Sequence, residues 1–320
     1  MRTHHTIGTV TRRVIADDGA LLHVEDTGSP GARARGRPHA GLTVVFCHGF
    51  MLDRTAWHFQ TEALAPFARV VLWDLRGHGR SGWGTSAPVS IDRLGRDLLT
   101  VLEATAPRGP VVLIGHSMGG MAIMALAAVH PEQFTSRVAA VGLLATSAGD
   151  LAAVRMGLSR PTAAVLHQVL VGGLPVLARA PAVVDPTRRW TGGLAFRLTH
   201  RMLCRTSMTP AARRITIHAM AGVPIRTVAT FYPVLMSHDK HTALTALGHC
   251  PVLVAVGADD RITPPAHSLA LATDIASAHL AVVPQAGHLL PLERPAQVNA
   301  LLTDLVARGR THVHEARWYA

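Results

Sequence analysis

The chain has 320 residues, 48% apolar and only 4% aromatic, which fits one large aliphatic-cored domain or one domain carrying a sizeable insertion. The formal charge is +11, but Arg supplies every basic residue except Lys240, and no basic helix, zinc-finger spacing or aromatic RNA motif accompanies it, so no nucleic-acid partner is expected. Cys47, Cys204 and Cys250 stand apart, which excludes a disulfide framework and a zinc site; "MRTHHTIGTV" has no apolar signal core, no apolar run reaches about 18 residues, and a cytoplasmic protein is expected.

Along the chain, Ile7–Ile15 and Leu21–Glu25 alternate around "ADDGA" and predict a hairpin. The Gly/Pro/Arg-rich "TGSPGARARGRPHAG" predicts a surface loop. Leu42–Phe46 is a short, wholly apolar strand of the kind buried in parallel sheets. A helix over Ala56–Phe67, a buried strand over Val70–Trp73 and the loop "DLRGHGRSGWG" follow. Ile91–Glu103 has helical spacing, Val111–Ile114 is a strand, Met118–Val129 a helix and Val138–Leu144 a strand. This alternation is the βαβ rhythm of a mostly parallel sheet with helices on both faces. It stops near Asp150. Residues 150–240 are Ala/Leu/Arg/Met-rich and predict a helical insertion. The rhythm resumes with a strand at Pro251–Val256, a helix at Ala266–Ala276, a strand at Leu280–Val283 and a helix at Pro295–Ala307; "RGRTHVHEARWYA" is expected to be a loose end.

Gly115-x-Ser117-x-Gly119 falls between a predicted strand and a predicted helix, the setting of a nucleophile elbow. A sharp turn there lifts a hydroxyl above the sheet edge, and the flanking glycines let strand and helix approach closely. The helix start offers unpaired N–H groups to a developing anion. In this reading the backbone N–H groups of Met118 and of Phe50, in the "HGF" that follows a buried strand, form the oxyanion hole. Asp259 and Asp260 lie just after one late strand and His288 after the last, giving the chain order Ser, Asp, His.

The sequence resembles the α/β-hydrolase fold family, through HGF at 48–50, DLRGHGRSG at 74–82, GHSMGG at 115–120, GADDRITPP at 257–265 and GHLLPLERP at 287–295. "HGF" with "SMGG" is most similar to the family's bacterial esterases, lipases and cofactor-free perhydrolases. The resemblance implies an eight-stranded, mostly parallel sheet built from residues 1–149 and 241–320, with residues 150–240 a helical cap after the sixth strand. It implies Ser117 as nucleophile, His288 as base and Asp260 as acid, since the pattern G-x-x-D-x-x-x-P places the acid between Gly257 and Pro264. Asp259 is the close rival, and Asp150 occupies a position some members use. No cofactor and no metal is implied. The expected activity is hydrolysis of a small-molecule or lipid-like carboxylic ester with an apolar acyl group. A C–C bond hydrolase, a thioesterase or a perhydrolase would use the same triad.

Several residues have plainer readings. His48, His116 and His78 are read as structural, and Cys47 as a small buried hydrophobe. Met156, Met202, Met208, Met220 and Met236 either line an acyl pocket or fill helical core. The insertion carries eleven arginines and Lys240 against Asp150, Asp185 and Asp239, a net +9. That charge suggests an anionic substrate or peripheral contact with an anionic membrane surface.

Overall fold

The computed structural model describes residues 9–28, 41–85, 88–206 and 208–315. Strands β1 (Val10–Ile15) and β2 (Leu21–Asp26) form the expected hairpin; residues 7 and 8 and most of the loop at 27–41 lie outside the described residues. Five strands are buried along their whole length: β3 (Thr43–Cys47), β4 (Arg69–Trp73), β5 (Val111–His116), β6 (Val138–Leu144) and β7 (Val252–Gly257). β8 (Ala278–Val283) closes the sheet at its edge, in the order β1-β2-β4-β3-β5-β6-β7-β8. All pairings from β4 through β8 are parallel; β2 is antiparallel to both β1 and β4.

The continuous apolar runs follow from burial on both faces. Successive side chains point to opposite faces, so Val45, Cys47, Val111 and Leu113 join one core while Val44, Phe46, Val112 and Ile114 join the other. The first core is covered by α2 (Ile91–Thr105) and α3 (Met118–Val129); the second by α1 (His58–Leu64) and a long C-terminal helix. The α2 helix starts where Ser90 accepts from the Arg93 N–H, and it buries Ile91, Leu94, Leu98, Val101 and Leu102 at helical spacing.

Four helices leave the sheet between β6 and β7: α4 (Arg160–Leu177), α5 (Pro181–Leu203), α6 (Pro210–Gly222) and α7 (Ile225–Met236). α5 and α6 meet the sheet layer through a separate apolar cluster that joins Phe196, Ala212 and Ala219 to Leu52, Leu289 and Leu292, while Phe231 and Leu235 of α7 pack into the first core. After β7 come α8 (Pro265–Asp274) and α9 (Pro295–Glu315). The segment expected to be a loose end is helical through Glu315, because Gly309 packs on Ala140 and Val313 is buried in the second core; residues 316–320 lie outside the described residues. No single helix among the described residues is long and apolar enough to cross a membrane.

The chain winds one way from β3 to β4 and the other way from β5 onward. The crevice above the carboxyl ends of β3 and β5 is therefore the switch point where open α/β sheets place their ligands.

One close helix contact sets a sharp expectation. A Cβ at Gly95 of α2 would lie 2.7 Å from the Leu126 amide nitrogen of α3. Alanine in a helix interior normally stabilises by about 1 kcal/mol over glycine. Here Gly95→Ala should instead destabilise by about 1–3 kcal/mol through overpacking, read as a lower urea midpoint.

Candidate active site

Ser117 joins β5 to α3 with φ 52° and ψ −119°, a conformation few non-glycine residues adopt. The turn is pinned by the Ser117 N–H donating to Leu144 O (2.9 Å) and by the Thr146 hydroxyl donating to Ser117 O (2.7 Å). The glycines have a steric reason. A Cβ at Gly115 would stand 2.5 Å from the Gly119 carbonyl carbon, and one at Gly119 would stand 2.1 Å from Cys47 O.

Above this turn the structure brings together three residues far apart in sequence. His288 Nε2 lies 3.0 Å from Ser117 Oγ, and His288 Nδ1 lies 2.9 Å from Asp260 Oδ2. All three side chains are buried. The other Asp260 oxygen accepts the N–H groups of Ile262 (2.8 Å) and Thr263 (3.0 Å), and the Thr263 hydroxyl donates to Oδ2 (2.9 Å). Burial pushes the Asp260 carboxyl upward, but the His288 charge and these hydrogen bonds outweigh it and hold the group below the ordinary carboxylate value. The two alternative acids point elsewhere. Asp259 is partly exposed beside Arg205 (3.8 Å), and the Asp150 side chain is 81% exposed and faces His241 (3.6 Å).

The flanking loop is braced by histidines. Leu75 N–H donates to His48 Nε2 (2.9 Å), so the His48 proton is on Nδ1 and donates to Gly49 O (2.8 Å). A Cβ on Gly49 would come within 3.3 Å of Ser117 Cβ, which puts the loop beside the serine. Among the described residues no protein acceptor takes the backbone N–H of Phe50 or of Met118. His116 donates from Nε2 to the His288 carbonyl (2.8 Å), and its ring centroid lies 5.1 Å from that of His288. Burial, helped by the His288 charge, pushes the pKa of His116 down to about 3. Its ring is therefore a neutral donor bearing on the His288 backbone. His78 packs near this loop, 5.4 Å from the His48 ring. Cys47 is fully buried beneath the Trp73 indole, and burial raises its thiol to about 12, so it carries no thiolate.

Ser117 and His288 open into a cavity of about 700 Å³ walled mainly by apolar side chains, including Phe50, Met121, Leu151 and Leu289. Of the five methionines of the insertion, Met156, Met220 and Met236 line it; Met208 packs in the cluster between the insertion and the sheet layer.

A model of the alpha/beta hydrolase family matches residues 44–301. The chain belongs to this family. Over 259 residues (81% of this chain) it is 29% identical to the dihydrolipoyllysine-residue acetyltransferase component of the acetoin cleaving system of Pseudomonas putida, and it spans 62% of that relative's length. Lipase LipV of Mycobacterium tuberculosis is 39% identical over 117 residues, 37% of this chain and 40% of that one. The structure of a thermophilic esterase from Thermogutta terrifontis, with malate bound, has a TM-score of 0.70 at 28% identity, covering 94% of this chain and 99% of the esterase.

Two residues of this family member escaped the sequence reading. Thr263 bridges Asp260 and, at 3.3 Å, His288 Nδ1. Buried Glu293 accepts the N–H groups of Gly287 (3.0 Å), Arg205 (2.8 Å) and Thr206 (3.3 Å), tying the histidine loop to the end of α5. Burial raises its carboxyl above the ordinary value despite these donors. The local pattern "GHLLPLERP" held Glu293 in plain view, but nothing in it marks a partner 88 residues away.

Buried neutral histidines give the protein an acid limit. Burial pushes His78 and His116 down to about 3 and His238 to about 4, from an ordinary 6.5. Between those values and 6.5 each binds fewer protons folded than unfolded. Its stabilisation is complete above pH 6.5 and is lost as the pH falls below it. Between pH 7 and pH 5 each should remove about 2 kcal/mol. Urea unfolding at the two pH values checks this, and His238→Gln should make the slope shallower by one histidine's share.

Proposed function

We propose that the protein hydrolyses carboxylic esters with an apolar acyl group, through an acyl-enzyme on Ser117. The observation that carries the reading is the Ser117–His288–Asp260 hydrogen-bonded chain at the floor of an apolar cavity. The esterase and the lipase among the relatives support an ester over a C–C bond, a thioester or a perhydrolysis reaction, which the same residues could serve.

Ser117 Oγ attacks the acyl carbon while His288 Nε2 takes its proton. Asp260 holds the Nδ1 proton in place and stabilises the imidazolium. The N–H groups of Phe50 and Met118 receive the oxyanion, each contributing about 3 kcal/mol. The C–O bond breaks and the alcohol leaves with the proton from His288. Water then attacks the acyl-enzyme with His288 again as base, releasing the acid and restoring Ser117. His116 and Thr263 position the imidazole, and residues 150–240 serve as a cap whose Met156, Met220 and Met236 contact the acyl chain.

Hydrolysis of p-nitrophenyl esters from acetyl to palmitoyl tests this. An octanoyl ester should exceed acetyl, since the cavity is large and apolar. Ser117→Ala should lose at least about a thousandfold in kcat. A wild type that turns over no ester, or a Ser117→Ala variant as active as wild type, overturns the proposal.

The acid assignment has its own test. Asp260→Asn should lower kcat about ten-thousandfold. Asp259→Asn should stay within about twofold, because an exposed surface pair contributes little.

A further inference from the structure

The outer faces of α4 and α5 are apolar where water would favour polar side chains. On α4, Val165, Val169 and Val176 follow one another at intervals of four and seven residues; on α5, Val183, Trp190 and Leu194 do so at seven and four. Each set therefore forms one stripe on its helix. All six are exposed, Trp190 at 89%. Of fifteen large apolar side chains exposed among the described residues, eight fall on these two helices. This concentration marks an interaction surface rather than scattered exposure.

The stripe on α4 is not a misplaced core face. Its opposite side is already used: Ala163, Ala164, His167 and Gln168 line the cavity that holds Ser117 and His288. The helix thus has one face on the site and a second apolar face on the outside.

Charge selects the occupant. Residues 160–203 contain six arginines and a single acid, Asp185, which lies 3.8 Å from Arg188 and accepts the Ile225 N–H. Arg179, Arg189 and Arg197 are exposed, and no carboxylate among the described residues lies within ion-pair distance of them. A second copy would bring two such cationic faces together. An anionic headgroup layer neutralises them instead. The pair is apolar enough over a membrane-length window, but it bends by 118° between the helices, so it suits lying along a surface rather than crossing it.

We propose that the α4–α5 face docks on the surface of an anionic lipid bilayer, with the arginines at the headgroups and Trp190 and the valines at the acyl boundary. The docking rests on this outer face and not on the ester reading. If both hold, docking sets the cavity wall formed by α4 next to the lipid.

Co-sedimentation of the full chain with vesicles of phosphatidylcholine, with or without about a third phosphatidylglycerol, tests it. Binding to the anionic vesicles should be at least about tenfold tighter and should weaken with added salt. Trp190→Glu should weaken binding by about tenfold, with an unchanged melting temperature to show that the fold is intact. The Arg179→Glu, Arg189→Glu, Arg197→Glu triple variant should lose the preference for anionic vesicles. Ser117→Ala should bind as wild type does, so failed docking and failed hydrolysis are separate results. Equal binding to both vesicle types, or a preference that survives in the triple variant, overturns the proposal. So does a dimer by light scattering that Trp190→Glu converts to monomer, since the face then belongs to a second copy.

Discussion

A non-glycine residue held in a sparsely populated backbone region costs about 1–3 kcal/mol. Ser117 sits at φ 52° because its surroundings leave no alternative. Leu144 takes its N–H, Thr146 binds its carbonyl, and the missing side chains at Gly115 and Gly119 let β5, α3 and the end of β3 close around it. The rest of the site depends on this turn. It sets the hydroxyl above the sheet edge and brings the start of α3 and the 48–50 loop to its sides. The backbone N–H groups of Phe50, in that loop, and of Met118, at the helix start, have no protein acceptor among the described residues.

The polar groups around the turn are sorted by burial. Asp260 is buried yet kept ionised, because a neighbouring imidazole and three hydrogen-bond donors converge on it. His48, His78 and His116 are buried and kept neutral. A neutral His116 can donate a hydrogen bond to the His288 carbonyl without placing a second positive charge beside the imidazolium.

Most of the fold was legible in the chain because its buried strands are short, wholly apolar and separated by helical spacing. The elbow was legible because Gly-x-Ser-x-Gly in a strand–helix setting has few other uses. The acid was less so: Asp259 and Asp260 share one turn, and only the loop's course decides which carboxylate meets His288. Thr263 and Glu293 could not be read, since each acts through hydrogen bonds whose partners are set by tertiary folding. Helical spacing also gave the insertion its helices, but it could not say that the valines of α4 and Trp190 face outward. Periodicity marks a stripe and leaves open what covers it. The mostly polar "RGRTHVHE" run carries too little apolar spacing to show that the final turns of α9 are helical. Gly309 and Val313 are enough to seat it against the sheet layer.

The carbonyl of Leu203, the last residue of α5, accepts the N–H groups of His288 (2.8 Å) and Leu289 (3.3 Å), and Gly287 runs close against Leu203 and Cys204. The insertion is thus not a detachable module with clean seams. Exchanging it between relatives at its sequence borders, to transplant a substrate preference, would remove the backbone that seats the histidine. A workable chimera has to keep residues 203–206 with the histidine loop and make its joints within α5 and beyond Thr206, so the unit of recombination in this scaffold differs from the unit of its topology.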